Sequence, residues 1–268
     1  MENLIFISSI NLTAVILMMM IGWLLSLVLK NVTVVDSLWG LGFIIIVWLT
    51  FFLTDGFFGR KLLIALLVTV WGLRLSSYLT WRNWGKAEDP RYGSWREKSG
   101  RHFWIVSLFK VFLLQSVFLW AISLSLQYGM ASKTPATITW LDLCGVSLWT
   151  VGFIFEAVGD WQLAAFKSNP ANKGKVMDRG LWAYTRHPNY FGECLIWWGI
   201  FLIALSAPTS WWTILSPLTI TAVLLKMTGI PLTEKTMISH RPGYNEYIQR
   251  TNAFIPWFPK AKKNHHPI

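Results

Sequence analysis

LIFISSINLTAVILMMMIGWLLSLVL, residues Leu4–Leu29, decides the architecture. A helix crosses the hydrocarbon of a bilayer in about 20 apolar residues. This run exceeds that length and holds no charged residue. With no basic leader ahead of it, it reads as a spanning helix rather than a signal peptide. Six more runs of the same character follow, at about Val32–Leu53, Lys61–Trp81, Phe103–Tyr128, Thr139–Ala165, Tyr190–Leu205 and Trp211–Ile230. The run from Tyr190 is short, and Pro208 after it predicts a tight hairpin of the last two helices. The expected fold is an all-α polytopic membrane bundle of about seven helices. No linker or internal repeat divides it, so residues 1–268 form one membrane domain.

Composition agrees. Of 268 residues, 54% are hydrophobic and 14% charged, against roughly 25% charged in an average soluble domain. There are 18 Trp and 17 Phe, and amphipathic aromatics gather where membrane meets water. Soluble enzymes, disordered chains and fibrous repeats are excluded. The net charge of +11 comes without a nucleic-acid-reading module, so no nucleic-acid partner is expected. Its positives sit between the apolar runs. Arg82, Lys86, Arg91, Arg96, Lys98 and Arg101 follow the third run. Lys167, Lys173, Lys175, Arg179 and Arg186 follow the fifth. Lys235, Arg241, Arg250, Lys260, Lys262 and Lys263 occupy the tail. All fall on one side of a seven-span chain, which the positive-inside rule makes cytoplasmic, with the N-terminus outside. The loop after the fourth run holds one positive, Lys133, that after the sixth none, and Arg60 and Lys61 are a mild exception. Cys144 and Cys194 lie in apolar runs and form no disulfide or zinc pattern. His265 and His266 are adjacent in a polar tail, and no metal is expected.

Ionisable groups inside spans are costly and point to function. They are Asp36, Arg74, Glu156, Asp160, Glu193 and Lys226. In this orientation each lies near the cytoplasmic end of its span. Snorkelling toward the interface suits long Arg and Lys chains, and structural ion pairs are a second reading. A third is a polar vestibule for a charged cofactor beneath an apolar chamber. Glu156 and Asp160 are four apart and Lys167 follows by seven, which puts them on one helical stripe. Two acids followed by a base suit sugar hydroxyls or an amide beside a phosphate.

The densest motif is Gly180-Leu-Trp-Ala-Tyr-Thr-Arg186-His187-Pro188-Asn189-Tyr190-Phe-Gly192-Glu193. Pro188 suits the first helical position. Asn189 and Glu193 then share a face, and the helix N-terminus offers positive potential to an anion. Arg186 and His187 add donors just outside. Gly192 allows close approach of a ligand or backbone.

This run resembles the C-terminal signature of the steroid 5-alpha-reductase-like membrane family, especially its bacterial relatives. The resemblance extends to Asp160, Gln162, Phe166 and Lys167 upstream, and to Arg241-Pro-Gly-Tyr244, Tyr247 and Phe254-Ile-Pro256 downstream. Asp36-Ser-Leu-Trp-Gly40, Trp71-Gly-Leu-Arg74-Leu75 and Glu88-Asp-Pro-Arg-Tyr92 look like the same relatives' N-terminal half. It implies NADPH held by the last three spans (residues 139–260) and a lipophilic, steroid-like substrate among the first four (residues 1–130). Glu156, Asp160, Lys167, Arg179, Arg186, His187, Asn189, Tyr190, Glu193 and Lys226 are then the cofactor residues. It also implies a monomer among membrane lipids, in a bacterial inner membrane rather than the endoplasmic reticulum. The departures are a missing Gln-Glu pair in span two, Trp71 in place of a substrate-holding tyrosine, and Ile230 and Glu234 in place of a His–Tyr pair.

Reduction of an electron-poor C=C needs an oriented hydride donor, a donor facing the carbonyl oxygen in a dry site, and a proton. Asp36 is the first candidate for the chemistry, with Tyr78 and Arg74 beside it. Alternatively, Asp36 only pairs with Arg74, and Tyr78 belongs to the aromatic belt. Lys167, Lys175, Arg179 and Lys226 are candidates for the phosphates. No G-x-G-x-x-G follows a strand, so the cofactor must lie between helices. Glu88–Tyr92 reads either as a loop folding over the cofactor mouth or as a solvated charge run. Lipid and isoprenylcysteine methyltransferases, which use S-adenosylmethionine, carry a similar Arg-His-Pro-x-Tyr-x-Gly run but a paired Glu-Glu where this chain has Glu234-Lys235. A transporter is a third possibility, against which stands the lack of an inverted repeat.

Overall fold

Residues 4–29 form the body of one helix, α1 (Glu2–Leu29), in the computed structural model. The structure describes residues 2–227 and 229–260. Lys262, Lys263, His265 and His266 lie outside the described residues. The helices that follow are α2 (Val34–Leu53), α3 (Phe58–Asn83), α4 (Pro90–Ser99), α5 (Phe103–Ser107), α6 (Leu114–Ile122), α7 (Leu124–Ala131), α8 (Trp140–Ser168), α9 (Leu181–Tyr184), α10 (Pro188–Ala204), α11 (Leu215–Ala222), α12 (Ile230–His240) and α13 (Tyr244–Arg250). No strand occurs among the described residues.

Among the described residues, six helical stretches are long and apolar enough to cross a membrane. They are Leu4–Leu29, Val34–Leu53, Phe58–Asn83, Pro90–Ile122, Trp140–Ser168 and Ser210–His240. The expected short span is α10, which has 17 residues. The chain is a multi-pass membrane protein. It folds as two compact units: unit 1, Met1–Cys144 with Ile200–Ser216, and unit 2, Gly145–Gly199 with Pro217–Ile268.

In lipid, helices gain little by hiding apolar surface from one another, so close packing and hydrogen bonds hold them together. Unit 1 uses both. At the α2–α3 crossing, a Cβ on Gly72 would lie 2.8 Å from the Gly40 carbonyl oxygen, so only glycine lets these backbones meet. Fully buried Asn11 of α1 donates through Nδ2 to Thr50 Oγ1 of α2 (2.9 Å) and to Gln127 Oε1 of α7 (3.0 Å). Gln127 Nε2 donates to Ser123 Oγ at 2.7 Å.

Arg60 and Lys61 break the charge asymmetry for a visible reason. Arg60 is fully buried, and its Nε and Nη2 donate to the two Asp142 oxygens at 2.8 and 3.0 Å. Lys61 Nζ donates to the Thr54 carbonyl oxygen. A neutralised pair inside the protein carries little of the topological weight of loop cations.

Glu88–Tyr92 is partly helical, because Asp89 caps α4 by accepting the Arg91 N–H at 2.9 Å and Pro90 occupies its first turn. The segment is strapped to the start of α2. Glu88 accepts the Val32 N–H at 2.8 Å, and the Asp89 N–H donates to Thr33 Oγ1 at 2.8 Å. Arg96 grips Glu88 through two hydrogen bonds of 2.8 and 2.7 Å. Burial alone would raise the Glu88 carboxyl, but Arg96 and the Val32 N–H outweigh it and hold the group below the ordinary glutamate value.

Unit 2 is organised by a glycine seam. Gly145, Gly152 and Gly159 recur every seven residues on α8, as do Gly192 and Gly199 on α10. A Cβ on Gly152 would lie 2.6 Å from the Gly192 carbonyl oxygen, and one on Gly199 2.6 Å from that of Gly145. At Gly159 the neighbours are Pro188 and the Asn189 N–H. The seam lets the two backbones touch and fixes which α8 side chains meet the start of α10.

Candidate functional site

Helix α10 begins at Pro188, as the motif predicts. Gly159 packs against Pro188 and Asn189, which brings the start of α10 close to the next residue, Asp160. Asp160 is buried there and accepts a hydrogen bond from Asn189 Nδ2 at 3.2 Å. Asn189 Oδ1 is also buried, and no described residue pairs with it. Glu156, one turn earlier, is 3% exposed. Its backbone N–H packs on Gly192, where an added Cβ would come to 2.5 Å. The close approach that Gly192 permits is therefore to backbone. Glu193 is half-buried on the next turn of α10.

Just before α10, Arg186 and His187 are buried and share one acid. Arg186 Nε donates to Glu234 Oε1 of α12 at 2.8 Å. His187 Nε2 lies 3.1 Å from the same oxygen. Burial pushes the His187 pKa below its ordinary 6.5, against the pull of Glu234 in the other direction. The ring is neutral at pH 7, and Nε2 is the nitrogen placed to donate to the Glu234 carboxylate. The His187 and Tyr190 rings stack at 5.3 Å, and the Tyr190 hydroxyl lies 3.3 Å from Thr233 Oγ1.

The chain from α13 onward also binds this motif. The Arg186 N–H donates to the Asn252 carbonyl oxygen at 2.9 Å, Thr185 Oγ1 to that of Phe254 at 2.8 Å, and the Trp257 N–H to that of Tyr184 at 2.9 Å. Tyr247 donates its hydroxyl to the Trp182 carbonyl oxygen. Burial drives the Tyr247 phenol above its ordinary range, and that of Tyr244 to about 12. Gly180 takes a positive φ of 60°, which turns the chain so that the Leu181 N–H can donate to Gln162 Oε1 at 3.0 Å.

Unit 2 thus brings Asp160 and Asn189 into contact, with Glu156 and Glu193 on the same two helices. It joins Arg186, His187 and Tyr190 in a second cluster. Lys167, Arg179 and Lys226 are exposed. Glu234 is the residue that sequence reasoning missed. Its signal was arithmetic: after Glu193, the sequence offers Arg186 and His187 only Glu234 and Glu246 as acids.

The remaining candidates belong to unit 1. Asp36 opens α2, where Tyr92 donates its hydroxyl to Oδ1 at 3.4 Å and Asn83 Nδ2 donates to Oδ2 at 3.5 Å. Its ionic neighbour is Arg82, at 3.6 Å. Arg74 and Arg82 lie over the Tyr78 ring at 5.4 and 5.9 Å, a cation–π arrangement. No group of three or more potential metal ligands occurs among the described residues.

The chain is 27% identical over 268 aligned residues to Uncharacterized protein C594.04c of Schizosaccharomyces pombe, covering 87% of this chain and 75% of that one. It is 44% identical over 46 residues to Probable O-methyltransferase ustE of Ustilaginoidea virens, which is 17% of this chain and 16% of that one. No solved structure gives a significant match. The family model described as "Protein of unknown function (DUF1295)" matches residues 22–251, nearly the whole chain, and the protein belongs to that family.

Proposed function

We propose that the protein is an NADPH-dependent reductase of an electron-poor C=C bond in a lipophilic, steroid-like substrate. It acts as a monomer within a membrane, the bacterial inner membrane by the resemblance of its motifs. One observation carries the reading. Asn189 is anchored by its Nδ2 on buried Asp160, yet its buried Oδ1 has no donor among the described residues. A buried acceptor without a partner costs about 1–3 kcal/mol. The amide of a nicotinamide supplies the N–H that Oδ1 lacks. The resemblance to steroid 5-alpha-reductase-like enzymes over most of the chain supports the same choice.

The donor set fits the rest of such a cofactor. Asp160 and Glu156 are acceptors for ribose hydroxyls. Exposed Lys167, Lys175, Arg179 and Lys226 suit phosphates, and the extra phosphate of NADPH favours so basic a site. When bound, the reduced nicotinamide supplies a hydride. The chain's own contribution is orientation. Asp160 fixes Asn189, the glycine seam fixes α8 against α10, and Glu234 locks Arg186 and neutral His187 at the start of α10. Glu193 and Tyr190 complete that face. In unit 1, Asp36, Arg74 and Tyr78 are the groups assigned to polarising the substrate carbonyl and supplying the proton.

An S-adenosylmethionine-dependent methyltransferase is the second reading. The local match to an O-methyltransferase favours it, as does Glu234, an acid after the last span that holds Arg186 and His187. Lys235 in place of a second glutamate weighs against it.

Thermal unfolding in detergent separates the two. A ligand at 100 times its Kd adds about 2.7 kcal/mol to the native state. NADPH should raise the midpoint of the wild type and not that of Asn189→Ala, while S-adenosylmethionine should leave both unchanged. Protection by S-adenosylmethionine alone would replace the reductase reading with the methyltransferase one.

A further inference from the structure

A cavity of about 660 Å³ opens along α3 in unit 1, with Leu41 of α2 as its second wall. That size lies within the roughly 300–1,000 Å³ of small-molecule sites. Leu73 lines it, and Trp81 and Trp84 form its rim, with relative exposures of 51%, 66% and 81%. Ser76 lies within it and is 6% exposed.

Ser76 differs from many of the helical hydroxyls of this chain. Hydroxyls inside helices satisfy themselves by donating to the carbonyl four residues back. Thr13, Thr50, Ser116, Thr150 and Thr221 all do so. Ser76 Oγ is buried and pairs with no described residue. It sits over Gly40, where an added Cβ would come to 2.6 Å of it, so the glycine leaves the hydroxyl its space. No described side chain competes for this hydroxyl, so a ligand oxygen that enters between α2 and α3 gains a hydrogen bond there.

We propose that this groove binds a neutral lipophile bearing one carbonyl or hydroxyl oxygen, with Ser76 Oγ as its hydrogen-bond partner. The residues lining the groove carry no charge, which leaves a phospholipid headgroup without an ionic partner. Ser77 and Thr80 also line the groove but are exposed, and Thr80 Oγ1 already donates to the Ser76 carbonyl oxygen; the buried Ser76 hydroxyl matches a single oxygen function, and the leucines and the indoles of Trp81 and Trp84 match an apolar body. This rests on the reductase reading only in the apolar character of its substrate, and it adds a lipid-facing site where that substrate docks.

The test uses the full-length protein in phosphatidylcholine nanodiscs. Two photoactivatable diazirine probes, a polycyclic ketone and a polyprenyl alcohol, are crosslinked and the adducts mapped by peptide mass spectrometry. One of the two should label residues 73–84 saturably. Ser76→Ala should weaken that labelling about fivefold, the loss of one hydrogen bond, and should not lower the unfolding midpoint without ligand. Leu73→Trp, at a lipid-exposed position that tolerates bulk, should abolish labelling by filling the groove. The proposal is overturned if neither probe saturates, if Ser76→Ala labels as wild type does, or if a diazirine phosphatidylcholine labels the groove equally. NADPH binding is measured separately. Groove labelling without NADPH binding would sink the reductase reading alone, and the converse would sink the groove alone.

Discussion

Gly192→Ala places one methyl group against the backbone of α8. Its Cβ would lie 2.5 Å from the Gly152 carbonyl oxygen and from the Glu156 nitrogen, and 2.9 Å from the Glu156 Cβ. Ordinary contact begins at 3.4 Å, so the helices must separate by about 0.9 Å. None of the three obstacles is the tip of a flexible side chain. Overpacking of this kind costs about 1–3 kcal/mol. The same movement would stretch the 3.2 Å bond from Asn189 to Asp160 to about 4.1 Å, beyond hydrogen-bond length. Losing that charge-assisted bond removes about 1.5–3 kcal/mol from whatever it positions, or roughly ten- to 150-fold in cofactor affinity. The assay is thermal unfolding in detergent together with NADPH titration. Gly93→Ala is the control, because its Cβ would meet nothing within 4 Å, and alanine favours a helix by about 1 kcal/mol over glycine. Wild-type stability and NADPH affinity in Gly192→Ala would show that the glycine seam does not set the position of Asn189.

Three further outcomes are expected. Arg60→Met leaves Asp142 buried without its cation and should cost about 3–5 kcal/mol, while Arg60→Met with Asp142→Leu recovers most of that loss; equal destabilisation of both variants in denaturant titration would count against the pair. His187 has its pKa lowered by burial from an ordinary 6.5, so the unfolded chain takes a proton that the native one refuses. Stability should hold above about pH 6.5 and fall as pH drops below it, and His187→Gln should flatten that slope between pH 7 and 5.5. Asp36→Asn should slow NADPH oxidation with a panel of lipophilic enones and leave NADPH affinity unchanged; full activity would remove Asp36 from the chemistry.

The architecture was legible because a bilayer imposes a length. Runs such as Leu4–Leu29 can satisfy their backbone in hydrocarbon only as helices. The short helix α10 was legible too, since Pro188 starts it and Pro208 follows it. What the sequence hid were pairings between distant residues. Arg60 looked like a misplaced loop cation, because nothing local ties it to Asp142, 82 residues away. Glu234 looked like a departure from a family pattern, until its carboxylate met Arg186 and His187. Gly192 could be read as serving a ligand or a backbone, and only the seven-residue spacing shared with Gly199, Gly145, Gly152 and Gly159 favours backbone. The contact between Asp160 and Asn189 was foreseeable only as two residues with a common task. Their distance depends on the glycine seam, which is a property of two helices and not of either one.

Equilibrium dialysis of the purified protein against NADPH, NADH and S-adenosylmethionine tests the cofactor assignment most directly. Saturable NADPH binding is expected, with weaker NADH binding, no S-adenosylmethionine binding, and loss of the NADPH signal in Asn189→Ala. Saturable S-adenosylmethionine binding with none for NADPH would contradict it.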